Sequence, residues 1–223
     1  MDLKLFMKGI TRFIAGLLII ALLLFVPAGT AGYMNGWLLI CILFVPMFIA
    51  GIIMLFVSPE LLKKRLDAKE EENAQKAVII LSALMFAASF VTAGLGYRFG
   101  WISFPAWAVK TGVVIFLLSY LMYAEVLREN EYLSRTVRVQ ENQKVIDNGL
   151  YGIVRHPMYS ATVFLFLSMP VVLGSPVSFV IMLIYIPIIN ARINNEERVL
   201  KEGLEGYEEY CSRVKYRVIP PVW

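Results

Sequence analysis

Acidic residues are missing from long stretches of this sequence: none occurs between Asn73 and Ala124, and none between Asn148 and Asn195. Charged residues make up only 17% of the 223-residue chain, against 59% hydrophobic ones, and the mean hydropathy is +0.69. A soluble domain carries about 25% charge and roughly 45–50% apolar residues. The composition excludes that class and reads as an integral membrane protein. The chain has one histidine and two cysteines, which offer no ligand cluster for a metal. Cys41 lies in an apolar run and Cys211 in a charged tail, so a disulfide framework is excluded and both read as free thiols. No internal repeat and no low-complexity tract occurs.

The glycine-rich stretch GLGYRFG (Gly94–Gly100) lacks the third glycine of a dinucleotide loop, since Phe99 stands in its place. It also joins two apolar segments instead of following a strand, so it is not a dinucleotide fingerprint. The net charge of +4 and the pI near 9.0 do not indicate nucleic acid, because the basic residues collect in the loops between apolar runs. The basic start followed by an apolar core has the outline of a signal peptide. It runs straight into a second apolar segment, however, as the first arm of a membrane hairpin does.

Crossing a bilayer takes roughly 20 apolar residues. Segments of that order run from Ile10 to Val26, Gly36 to Val57, Ala77 to Leu95 and Ala106 to Val126. A fifth apolar region, Met158 to Ile193, is interrupted by Leu173–Ser178, where Gly174 and Pro176 predict a turn. Its two arms, about sixteen residues each, would be roughly 24 Å long, which leaves open two short crossings or a re-entrant hairpin. The expected fold is therefore all-α: a polytopic membrane protein with four transmembrane helices, a C-terminal helix–turn–helix hairpin and cytosolic cofactor-binding segments. Residues 1–126 would hold the four helices, with a charged amphipathic connector over 58–76, and residues 127–223 the functional core. Of the 21 Lys and Arg, all but Arg98 and Lys110 fall in the N-terminus, the connector, the Leu127–Pro157 loop or the tail from Arg192. The positive-inside rule then predicts cytosolic termini and a cytosolic active surface.

The turn near Gly174 brings both feet of the hairpin to one side. Arg155-His156-Pro157 stands at the first foot and Arg192-x-x-x-Glu196-Glu197 at the second. Arg192 and Glu196 share a helical face, and ionisable groups at the lip of a membrane segment mark a functional candidate. The competing readings are a snorkelling anchor for Arg155 and a solvated tail helix for the glutamates. Pro157 suits the first turn of a helix and pushes the residues before it into extended backbone, with groups free for a ligand. Tyr151 and Tyr159 add flat walls. Such a pocket suits a zwitterionic, nucleotide-like ligand.

These residues also carry a resemblance. The order Gly149-x-Tyr151, Arg155-His156-Pro157-Met158-Tyr159, a membrane hairpin, Arg192-x-x-x-Glu196-Glu197-x-x-Leu200, Gly206-Tyr207-x-x-Tyr210 and Pro220 resembles the isoprenylcysteine carboxyl methyltransferase family, over roughly residues 130–223. The resemblance implies a membrane-embedded enzyme that uses S-adenosylmethionine. It implies cofactor contacts at Gln143, Lys144, Val145, Ile146, Tyr151, His156, Pro157, Met158, Tyr159 and Glu196. Arg192 would face the methyl acceptor, and Glu197 would help at the reacting centre as the base an amine acceptor needs. Ala161 and Gln143 depart from the family's usual glycine and frequent histidine. The acceptor would be a lipophilic or lipidated molecule, a prenylcysteine-like carboxylate or a lipid amine, reached from among the membrane lipids. Two readings stand beside it: an NADPH-dependent sterol-type reductase, and a non-enzymatic scaffold of the same fold.

Overall fold

The computed structural model describes residues 3–66, 73–130, 132–133 and 139–223, with Lys64 and residues 73–75 described by their backbone alone. The order of helices is α1 (Leu3–Ala28), α2 (Met34–Val57), α3 (Pro59–Leu66), α4 (Asn73–Arg98), α5 (Ala106–Glu129), α6 (Pro157–Val172), α7 (Pro176–Met182), α8 (Tyr185–Gly203) and α9 (Tyr207–Arg213), with a 3₁₀ turn at Gly149–Gly152. Among the described residues, five segments are long and apolar enough to cross a membrane: Leu3–Ala28, Met34–Val57, Lys76–Arg98, Ala106–Glu129 and Pro176–Gly203. Large apolar side chains such as Leu22, Phe56, Ile80, Leu84 and Leu121 are exposed on them. In water that would be a liability; facing lipid it is the expected surface. The protein is a multi-pass helical membrane protein.

Helix α1 packs on α2 and α4, α5 lies along α6, and α4 also contacts α7 and α8. One core joins Leu24, Leu43, Phe44, Phe90, Phe116 and Met169 from five helices. A second gathers Met85, Val163, Met182, Ile189 and Ile193. Gly112 lets α5 and α6 approach closely, because a Cβ there would sit 2.9 Å from Val171 Cγ1. Small residues play this part where lipid provides no hydrophobic drive between helices. A polar staple ties α4 to α7: the Ser89 and Ser178 hydroxyls are 2.6 Å apart, and Ser178 donates to the Ser89 carbonyl at 2.8 Å.

The hairpin differs in detail from the sequence expectation. Its first arm, α6, has sixteen residues, but the turn is shorter than Leu173–Ser178. Pro176 takes an early position of α7, and the Ser175 hydroxyl caps it by accepting the Ser178 amide at 3.2 Å. The second arm is broken and long. Pro187 has no amide and crowds the carbonyl four residues back, which is Leu183, and the chain breaks between Met182 and Tyr185. Beyond Ile193 the good helix formers Glu196, Glu197, Arg198, Leu200 and Lys201 carry α8 on to Gly203. The charged connector is helical over Pro59–Leu66, and α4 begins at Asn73. Residues 67–72 of that expectation lie outside the described residues.

Candidate active site

The end of α5, the start of α6, the second half of α8 and α9 enclose a cavity of about 840 Å³, counting its open mouth. Its base is built on local backbone. Gly149 has φ +54°, a region costly to side-chain-bearing residues, and a Cβ there would fall 1.8 Å from Glu129 Oε1. That carboxylate accepts the Leu150 amide at 3.0 Å. Asn130 then donates to the Tyr151 hydroxyl at 2.8 Å, and Tyr210 donates to the Tyr151 carbonyl at 2.7 Å. Both ends of Tyr151 are thereby held. Burial pushes the phenols of Tyr151, Tyr207 and Tyr210 well above their ordinary range, so all three are neutral hydroxyls.

Helix α8 supplies a wall by its four-residue stride: Arg192, Glu196, Leu200 and Leu204 just past its end all line the cavity. Tyr159 crosses from α6 to meet them. Arg192 Nε donates to the Tyr159 hydroxyl at 2.8 Å, and that hydroxyl donates to Glu196. The relay fixes a cationic, a neutral and an anionic group side by side. His156 stacks on Tyr159 with ring centroids 5.6 Å apart.

Glu197, one residue further along α8, turns away from this wall. It is 3% exposed. Its Oε1 accepts Arg155 Nε at 2.8 Å and lies 3.2 Å from His156 Nε2, while Oε2 accepts Arg217 at 2.8 Å. Arg155 also donates to the carbonyls of Val214 and Lys215, at 2.7 and 2.9 Å. This knot fastens the C-terminal segment beneath the start of α6. The same segment takes the backbone there: the amides of Arg155 and His156 donate to the carbonyls of Tyr216 and Arg217, each at 2.9 Å.

Ten of the twelve residues singled out from sequence line the cavity: Gln143, Lys144, Val145, Ile146, Tyr151, His156, Met158, Tyr159, Arg192 and Glu196. Pro157 and Glu197 are not on its wall. Pro157 is fully buried at the first turn of α6, and Glu197 is enclosed in the knot. The amides before Pro157, expected to be free for a ligand, are taken by the tail. The cavity also involves Arg155, which stands at the first foot of the hairpin, and Asn130, Tyr132, Leu133, Leu200, Leu204, Tyr207 and Tyr210, for which the sequence suggested no site role. Arg155, Tyr207 and Tyr210 stand inside the motifs above; the tyrosines' position after a glycine on a short helix is the signal that could have found them.

Residues 109–202 match the model of the isoprenylcysteine carboxyl methyltransferase (ICMT) family. The match begins inside α5 and ends in α8. Protein-S-isoprenylcysteine O-methyltransferase B of Arabidopsis thaliana is 26% identical over 150 residues, covering 61% of this chain and 76% of that protein. The delta(14)-sterol reductase of Mus musculus is 28% identical over 91 residues, 40% of this chain. The chain spans only 22% of the reductase's length.

Proposed function

We propose that this chain, which belongs to the isoprenylcysteine carboxyl methyltransferase family, transfers a methyl group from S-adenosylmethionine to a lipophilic acceptor at the cavity between α6 and α8. The observation that carries this reading is the Arg192–Tyr159–Glu196 relay on the cavity wall.

The residues present fit the methyl donor. The lining combines charged groups, Arg192 and Glu196 beside Tyr159, with aromatic and apolar ones, Val145, Leu204, Tyr207 and Tyr210, which suits a molecule with a zwitterionic tail and a flat base. Gln143 to Ile146, Tyr151, His156, Met158 and Tyr159 would hold it as walls, with Pro157 setting their backbone from behind. Bound there, S-adenosylmethionine supplies an electrophilic methyl on a sulfonium centre. Glu196 grips the amino-acid end and not the sulfonium, whose positive charge is lost during transfer and whose tight pairing would favour the ground state. Arg192, tethered through Nε to Tyr159, orients the acceptor; a guanidinium binds a carboxylate with good geometry. A carboxylate acceptor needs no base. Glu197 is enclosed by three cationic or imidazole donors, which favours a positioning role for it and an acceptor of the carboxylate class. The concentration of basic residues at this end of the bundle supports a cytosolic mouth, with donor entering from water and acceptor from lipid. Orientation of both groups and exclusion of water supply most of such a reaction's rate.

Calorimetry of the purified protein in detergent tests the reading. S-adenosylmethionine should bind saturably, and Glu196→Ala should abolish binding while the protein stays folded. Binding of NADPH instead would favour the reductase reading that the similarity to the mouse reductase raises. Binding of neither would favour a scaffold.

A further inference from the structure

Seven tyrosines are buried at or beside the cores with described hydroxyls, and six of those hydroxyls have a partner. Tyr33 donates to the Leu173 carbonyl and Tyr120 to that of Leu43. Tyr151 accepts from Asn130, Tyr159 joins Arg192 to Glu196, Tyr185 pairs with Thr162, and Tyr210 donates to the Tyr151 carbonyl. Tyr207 is the exception. Its residue is 4% exposed, its hydroxyl oxygen is buried, and it has no hydrogen-bond partner among the described residues. The Cys211 thiol, one turn along α9, interacts with it, but a thiol is a weak hydrogen-bonding group and does not reach the geometry of a full hydrogen bond.

An unsatisfied buried hydroxyl is costly and calls for a specific explanation. The site of this one supplies it, because Tyr207 lines the cavity. Its ring packs among Leu204, Tyr210, Val145 and Leu200. That cluster offers apolar and aromatic surface for a flat ring. We propose that the Tyr207 hydroxyl is the hydrogen-bond donor to the heteroaromatic base of the nucleoside cofactor, and so a specificity-determining residue of the site. The inference rests on the cofactor reading above and adds a residue and a chemical role to it. A phenol raised far above its ordinary range by burial stays protonated, so it serves as a donor to a ring nitrogen. The charged tail of the same molecule then lies at Glu196, and the two contacts fix its direction in the cavity.

Tyr207→Phe tests this, because it removes one oxygen whose interaction within the described residues is the weak one with the Cys211 thiol. Calorimetric titration with S-adenosylhomocysteine in detergent should show affinity about tenfold weaker than wild type, the loss of one good hydrogen bond. The melting temperature of the unliganded protein should be unchanged or higher. Tyr210→Phe is the contrast: its hydroxyl holds the Tyr151 carbonyl, so that variant should melt lower. Equal affinity of Tyr207→Phe and wild type overturns the proposal. So does a lower melting temperature of unliganded Tyr207→Phe, which would mean that the hydroxyl already has a partner in the protein. Failure of the wild type itself to bind S-adenosylhomocysteine overturns the cofactor reading and this inference together, and is distinguishable by that silence.

Discussion

Replacing Glu197 with alanine removes the one acceptor shared by Arg155, His156 and Arg217. Breaking a buried ion pair by deleting one partner costs about 3–5 kcal/mol, because the other charge stays behind. Here the stranded group is Arg155, whose side chain is 9% exposed. It keeps the carbonyls of Val214 and Lys215, which softens the loss and puts the expected cost near the low end, about 3 kcal/mol. For a chain of this size each kcal/mol lowers the melting temperature by about 2–4 °C, so a fall of about 6–12 °C is expected. Glu197→Gln keeps an oxygen for Arg155 and His156 but turns an amide toward Arg217; its cost should be about 1–3 kcal/mol. Tryptophan fluorescence on heating in detergent reads both, beside methyl transfer to a prenylcysteine analogue. If Glu197→Gln melts like wild type yet is inactive, Glu197 is a base and not a fastening. Melting of Glu197→Ala within about 2 °C of wild type, less than a single kcal/mol would produce, equally refutes the fastening role.

Arg192→Ala should leave affinity for S-adenosylmethionine within about threefold of wild type, since losing one cavity contact that the donor does not need costs well under a tenfold step, while methyl transfer falls at least a hundredfold, about 2.7 kcal/mol of barrier; equal loss of both would contradict its assignment to the acceptor. Gly149→Ala should lower stability by more than the 1–3 kcal/mol of a left-handed backbone alone, because its methyl also meets Glu129. Glu129→Ala in the same chain should recover part of that loss, read as melting temperatures of the two variants.

Much of this arrangement is legible in the residues themselves. The missing acids mark the apolar helices, Gly174 and Pro176 mark the turn, and Arg192 and Glu196 are placed on one wall by their spacing alone. The break in the second arm is not legible in this way, because Pro27, Pro46 and Pro170 sit inside continuous helices while Pro187 follows a break. What sequence spacing hides is pairing at long range. Arg217 reaches back 20 residues to Glu197, and the carbonyls of Tyr216 and Arg217 reach the amides of Arg155 and His156 across the whole hairpin, pairings that no periodicity records. For that reason the contacts of Glu197 with Arg155, His156 and Arg217 are invisible in the sequence, and the amides before Pro157 read as free. Tyr207 and Tyr210 illustrate a different limit: their motif is visible, but which hydroxyl finds a partner is decided by packing.

Helix α8 behaves as a compass. Neighbouring positions on it point about 100° apart, so Glu196 and Glu197, chemically identical and adjacent, are aimed at different tasks. A single residue inserted between Tyr185 and Arg192 would swing the whole bearing, turning the carboxylate now anchored by Arg155, His156 and Arg217 to a new heading and pulling the Arg192–Glu196 stripe off its target. Side-chain exchanges along this stretch can be absorbed one at a time. Changes of length cannot, and the distance in residues from the kink at Pro187 to the paired glutamates fixes which of them faces the cavity and which the buried arginine.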